Sequence, residues 1–227
     1  MREFLEKFGI TPKDNALYDE AVTHNSYSNE HRIAKNYQRL EFLGDAILQQ
    51  KVSEYLFKKF PKSNEGILTR YRSSIVRKET LAQFSRIIGL GKLLRLGVGE
   101  LESKGYEKDS ILADAYESMT AAIYLEAGPD ALVKWLNATI FSESNLDIFL
   151  DAIRDFKSEL QELIQVEMRS ELSYVTISQE KLEDNKMIFT VNCTLDGMVY
   201  GVGQGSNKKQ AEQEAAKNAL SKIKNKI

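Results

Sequence analysis

The chain has 227 residues, 42% of them hydrophobic and 28% charged, the balance of a soluble globular protein of one large or two small domains. A formal net charge of −2 gives no sign of a polyanion partner, and one cysteine with two histidines excludes an internal disulfide framework and argues against a structural zinc site. No stretch approaches the ~18 apolar residues of a membrane span, and MREFLEKFGI at the start mixes charges where a secretion signal would be apolar, so a cytoplasmic protein without a membrane partner is expected.

Residues 1–9 predict a short amphipathic helix, punctuated by Thr11-Pro12 and Asp14-Asn15. A second short helix is expected over 16–22, and THNSYSNEH (23–31) reads as a polar loop. A long helix runs from about Tyr37 to Phe60 and stops at Pro61, because Leu40, Leu43, Ile47, Val52, Tyr55 and Leu56 recur at helical spacing. Phe42 and Ala46 are expected in the core with them. Ser63-Asn64-Glu65-Gly66 signals a helix start. A single helical run then continues from Ile67 through ILTRYRSSIVRKETL to residue 88, ended by Gly89 and Gly91.

Residues 96–105 read as a glycine-dotted loop without the Gly-Lys-Ser/Thr of a P-loop. SILADAYESMTAAIYLEAG (110–128) predicts a helix with Ile111, Leu112, Ala115, Met119, Ala122 and Ile123 on its apolar side, terminated by Gly128-Pro129. Short helices over 130–141 and 145–154 complete an all-α unit. After that the composition changes. An amphipathic helix over 155–167 precedes three β-branched and aromatic runs, 174–177, 187–191 and 198–202, with Asp196-Gly197 as a two-residue hairpin signal. An alanine-rich helix follows from Asn207. The expected architecture is an all-α N-terminal domain, 1–152, and a small α+β domain of α-β-β-β-α order, 153–227. Cys193 is expected as a small buried hydrophobe on a strand.

The chemistry is carried by carboxylates. Glu41 and Asp45 are four apart, Asp114 and Glu117 three apart, so each pair shares one face of its helix. Such pairs are common on solvated faces, but these sit among apolar neighbours, with Arg39 and Lys51 as the nearby cations in the sequence. If the two helices pack together, four acids converge, and their repulsion calls for a cation. An all-oxygen site suits Mg²⁺ or Mn²⁺ and not zinc. A metal-bound water with a lowered pKa can attack phosphorus, which makes phosphodiester hydrolysis the natural reaction class. No Gly-x-Ser-x-Gly elbow or His-Glu-x-x-His motif offers a rival chemistry. Residues 207–227 hold six lysines against two glutamates, a basic stripe suited to phosphates.

NYQRLEFLGDAIL (36–48) closely resembles the signature segment of ribonuclease III, and SILADAYESMTAAIYLEAG its second acidic motif. ALYDEAVTHNSY and NEGILTRYRSSIV resemble further segments of that family, and residues 155–222 resemble a double-stranded-RNA-binding domain. The resemblance spans essentially the whole chain. It implies an all-α endonuclease domain followed by the RNA-binding domain, and a Mg²⁺-dependent endoribonuclease for double-stranded RNA, with no small-molecule cofactor. It places Glu41, Asp45, Asp114 and Glu117 at the metal-binding positions, with Asp45 and Glu117 catalytic. It implies a homodimer with one site per subunit, and products with 5′-phosphate, 3′-hydroxyl and a short 3′ overhang. Ribosomal precursor maturation and mRNA processing or turnover are the expected roles. Glu65 matches a further acidic position near the dimer cleft. Gln38 departs from the glutamate common there.

In the second domain, Ser158, Gln161, Glu162 and Gln165 fall at i, i+3, i+4 and i+7, one polar stripe suited to 2′-hydroxyls in a minor groove. Asn207, Lys208 and Lys209 open the last helix, where backbone N–H groups already favour anions. The 181–186 loop carries Glu183 and Asp184 where relatives have a Gly-Pro-x-His type loop, so weaker contact is expected from it. A different class, an RNA-binding protein whose helical domain only dimerises, is disfavoured by the four intact acids. A small-molecule phosphohydrolase leaves the second domain unexplained.

Overall fold

The computed structural model describes residues 1–32, 35–142, 145, 155–167, 170–181 and 187–224. The chain divides into two compact units, Met1–Ile153 and Arg154–Ile227.

The first unit is helical. Its described elements are α1 (Arg2–Glu6), α2 (Ala16–Ala21), α3 (Asn25–Glu30), α4 (Gln38–Lys59), α5 (Glu65–Ile75), α6 (Lys78–Ile88), α7 (Val98–Glu102), α8 (Asp109–Ala127) and α9 (Pro129–Ala138), with 3₁₀ turns at Leu90–Leu93 and Gly105–Glu107. At the centre lies α8, buried nearly all round from Ile111 to Ile123. Helices α4, α6, α9 and α2 pack around it. Trp135 on α9 stacks with Tyr116 of α8 at 5.3 Å between ring centroids, and its indole N–H donates to Thr120 Oγ1 at 3.1 Å. Such a donor must be paired once it leaves water.

Three secondary-structure expectations for this unit change. The 23–31 segment is not loop but contains α3. Its start is capped by His24 Nδ1, which accepts from the Ser26 backbone N–H at 3.2 Å. Its end is tied to α7, because the Glu30 carboxylate accepts from the Val98 N–H at 3.0 Å. Tertiary contacts thus hold a polar helix that propensity alone does not support. The run from 67 to 88 is broken at Arg77, whose ψ of 152° is extended. Thr80 Oγ1 donates to the Ser74 carbonyl across the break at 2.8 Å, and Arg77 Nε donates to Thr80 Oγ1 at 3.1 Å. The glycine-dotted stretch carries α7. The expected helix over 145–154 lies, apart from Asn145, outside the described residues.

The second unit has α10 (Phe156–Glu167), strands β1 (Leu172–Lys181), β2 (Met187–Leu195) and β3 (Met198–Gly205), and α11 (Lys208–Lys224). The strands form one antiparallel sheet in the order β1-β2-β3. Asp196 and Gly197 turn the β2–β3 hairpin with φ of 48° and 79°, as a type I′ turn requires. Phe156, Leu160 and Ile164 of α10 meet Val191, Cys193 and Leu195 of β2 and the alanine face of α11 in one core. Cys193 is buried on its strand as expected. Gly201 and Gly203 lie directly under α11, where a β-carbon would overlap the backbone of Ala215. Small residues on both sides bring helix and sheet into backbone contact.

Candidate metal centre and RNA-binding surface

Helices α4 and α8 carry the two acid pairs, and their closeness is set by Gly44. A β-carbon there would overlap the backbone carbonyl of Glu117. With glycine the helices touch backbone to backbone at Glu117 itself. Oxygens of Glu41, Asp114 and Glu117 consequently lie within 4.8 Å of one another, on three half-buried side chains. Asp45 is not in that trio. It is exposed and accepts a hydrogen bond from Gln49 Nε2 at 3.4 Å, yet its charge acts on both Glu41 and Glu117.

The electrostatics record the crowding. Glu117 is pushed up to about 8, first by burial and then by the charges of Asp45, Asp114 and Glu41. Glu41 is raised by burial and by Asp114 and Asp45. Burial also raises Asp114, against the opposing hydrogen bond from Tyr37. Three acids that resist ionising together want either protons or a cation. The donor set is all carboxylate oxygen, which fits a hard divalent cation.

Two neighbours were not singled out in the sequence. The buried Tyr37 hydroxyl donates to Asp114 Oδ2 at 3.2 Å, and the His24 ring packs against Tyr37 at 5.6 Å. Tyr37 precedes Glu41 by one helical turn, a same-face spacing that could have flagged it. Lys78 of α6 contributes positive charge to Glu41, Asp114 and Glu117 alike, and no spacing pattern in α4 or α8 points to it. Lys51, by contrast, pairs with Glu54 at 3.3 Å.

The expected burial of Phe42 and Ala46 is overturned. Phe42 is 81% exposed and Ala46 is exposed beside it, because Leu40, Gly44, Ile47 and Leu48 take the face of α4 that meets the core. Glu65 opens α5, exposed, and accepts from Thr69 Oγ1 at 3.0 Å. Gln38 opens α4, its backbone N–H donating to Asn36 Oδ1 at 3.1 Å and its side chain in solvent.

In the second unit, Gln161, Glu162 and Gln165 are exposed along α10, while Ser158 is half-buried and donates to Asp155 Oδ2 at 2.8 Å. Gln161 and Gln165 line a shallow cleft with Lys157, Ser170 and Tyr174. Asn207 caps α11 by accepting from the Gln210 N–H at 2.9 Å. Lys208 and Lys209 stand exposed in the first turn, and Lys208 reaches Glu212 only at 4.0 Å. Residues 182–186 of the β1–β2 loop lie outside the described residues.

Comparison with known proteins matches residues 14–144 to the Ribonuclease-III-like family and 156–223 to the double-stranded RNA binding motif. The chain is 51% identical to Ribonuclease 3 of Mesoplasma florum over 225 residues, covering 99% of this chain and 97% of that relative. It is 46% identical to Ribonuclease 3 of Spiroplasma citri, covering 98% and 90%. The solved nuclease domain of ribonuclease III from Campylobacter jejuni aligns with a TM-score of 0.55 at 40% identity, over 60% of this chain and 90% of that domain. With three carboxylates drawn together in its helical unit, an RNA-binding motif after it, and likeness over nearly its whole length to the Mesoplasma florum and Spiroplasma citri relatives, the chain belongs to the ribonuclease III family.

Proposed function

We propose that the chain is an endoribonuclease that hydrolyses phosphodiester bonds of double-stranded RNA with Mg²⁺, for which Mn²⁺ can substitute. The meeting of Glu41, Asp114 and Glu117 within 4.8 Å carries this reading. These three hold the cation, Tyr37 orients Asp114 through its hydroxyl, and Asp45 adds a fourth negative charge on the solvent side. When bound, the cation activates a water and stabilises the charge developing on phosphorus. Asp45 and Glu117 are assigned the catalytic role, with Glu65 as an accessory acid.

Residues 1–152 form the catalytic and dimerisation domain and residues 153–227 the RNA-binding domain. Ser158, Gln161, Glu162 and Gln165 face a minor groove, and Asn207, Lys208 and Lys209 take phosphates. Exposed Phe42 on the signature helix supports a homodimer in which a second copy covers it, since a large aromatic fully in water is costly. Two sites then cut opposite strands, leaving 5′-phosphate and 3′-hydroxyl ends with a short 3′ overhang. Ribosomal precursors and messenger RNA are the substrates, in the cytoplasm; among the described residues no helix is long and apolar enough to cross a membrane.

Incubating the full chain with duplex RNA, with and without Mg²⁺, tests the reading. Metal-dependent cleavage that Glu117→Gln abolishes while RNA binding persists is the expected result. Binding without cleavage in the presence of Mg²⁺ would favour an RNA-binding protein whose helical domain only dimerises.

A further inference from the structure

The first turn of α10 fixes the direction of one proton. Asp155 precedes the helix and caps it: its Oδ1 accepts from the Ser158 backbone N–H at 3.1 Å, and its carbonyl accepts from the Glu159 N–H at 3.0 Å. The same Oδ1 accepts from Gln213 Nε2 of α11 at 2.8 Å, while Gln213 Oε1 accepts from the Lys157 N–H at 3.3 Å. The Gln213 amide is thereby held at both ends, and Asp155 is held against α11 as well as against its own helix. Its second oxygen, Oδ2, accepts from Ser158 Oγ at 2.8 Å. A carboxylate has no proton to give, so the hydroxyl proton of Ser158 points at Asp155. Ser158 Oγ then offers its surroundings lone pairs only. The side chain is half-buried, one turn before the exposed Gln161 and Glu162.

We propose that Asp155 is a positioning residue for RNA specificity: it makes Ser158 an acceptor that only a donor, the 2′-hydroxyl of ribose, can satisfy. This rests on the reading that Ser158 faces a minor groove. Deoxyribose has nothing to donate at that position. A half-buried acceptor that meets no donor on binding gives up its water for no return. A serine hydroxyl left to itself is less selective, because it rotates to give or take a proton as its partner needs. Asp155 removes that freedom. The discrimination comes from the orientation of one hydroxyl, set by the carboxylate behind it.

The full-length protein, in chelator to prevent cleavage, is titrated by fluorescence anisotropy with a duplex RNA and with the same duplex carrying 2′-fluoro in place of every 2′-hydroxyl. Fluorine keeps the duplex A-form but brings no proton. Ser158→Ala is expected to weaken binding of the ribose duplex roughly three- to tenfold, the scale of one hydrogen bond, and to leave the fluoro duplex unchanged. Asp155→Asn keeps the cap, but its Nδ2 donates to Ser158 Oγ and turns the serine proton outward. It should lower the preference for ribose over fluoro roughly three- to tenfold. In a Ser158→Ala background it should leave that ratio alone. The charge it removes strengthens both duplexes alike, and a merely structural disturbance weakens both alike, so the ratio is the readout. An unchanged ratio in Asp155→Asn overturns the inference while the reading of Ser158 stands. If that variant does not fold, an equal Ser158→Ala loss on the two duplexes overturns it instead. Ser158→Ala that leaves ribose-duplex binding unchanged overturns the groove-facing assignment itself.

Discussion

Gly44 of α4 and Glu117 of α8 are in backbone contact: a β-carbon on the glycine would overlap the carbonyl oxygen of the glutamate and come within 3.0 Å of its Cα. The residue that separates Glu41 from Asp45 thus sets how close their carboxylates come to the second helix. Backbone atoms cannot yield as a flexible side chain can. Gly44→Ala must push α4 and α8 apart at the point where the site is built.

The expected cost of Gly44→Ala is about 1–3 kcal/mol, the range for overpacking in a filled core. Alanine in an exposed helix would instead stabilise by about 1 kcal/mol, so the sign is diagnostic. Thermal denaturation measures it, together with a divalent-cation titration that should weaken in parallel. An unchanged or raised melting temperature would remove Gly44 from the contact.

Glu117 links the site to pH. Its folded pKa of about 8 stands above the ordinary 4.5, so the folded state holds this proton more firmly than the unfolded chain. The stability it provides is fully present below about 4.5 and is lost as pH rises towards 8. Glu117→Gln removes the titration. In metal-free protein it should raise stability at pH 8 by on the order of 1–3 kcal/mol after discounting solvent screening, with little change near pH 4.5. Chemical denaturation at both pH values, in chelator, gives the comparison. Equal effects at the two would sink it.

Tyr37 acts through Asp114. Removing the hydroxyl in Tyr37→Phe leaves the ring packed but deletes the 3.2 Å hydrogen bond. Divalent-cation affinity should fall by roughly tenfold, the usual scale for a group that orients a ligand. Folding stability should drop by about 1 kcal/mol. If calorimetry finds metal affinity intact, Tyr37 does not orient Asp114.

Lys208 and Lys209 are exposed at the start of α11. Replacing both with alanine should weaken duplex-RNA binding without regard to sequence, and lower the slope of log affinity against log salt by roughly 2. Binding isotherms over a series of salt concentrations would show this. A slope equal to that of wild type means that neither lysine meets a phosphate.

Much of this was legible in the chain itself. Helical spacing located α4 and α8, and the four- and three-residue separations put each acid pair on one face. The Asp196-Gly197 hairpin and the alanine-rich last helix followed from residues adjacent in sequence. What escaped depended on partners far along the chain. Helix α3 is held by Glu30 reaching Val98, and the break at Arg77 is stitched by Thr80 and Ser74. Phe42 and Leu40 are equally apolar, yet only Leu40 faces the core.

The sequence by itself determined which residues could serve: four acids at helical spacing, a glycine between two of them, and a polar stripe and a lysine pair in the second domain. Periodicity and residue chemistry act over a turn or two of helix, and those features are local. Only the tertiary structure decided that Glu41, Asp114 and Glu117 meet while Asp45 stays in solvent. It also decided that Tyr37 bonds Asp114 and that Lys78, from a third helix, shares their field. Those relations depend on how close helices approach and in which direction they run. Packing sets both, at Gly44 above all.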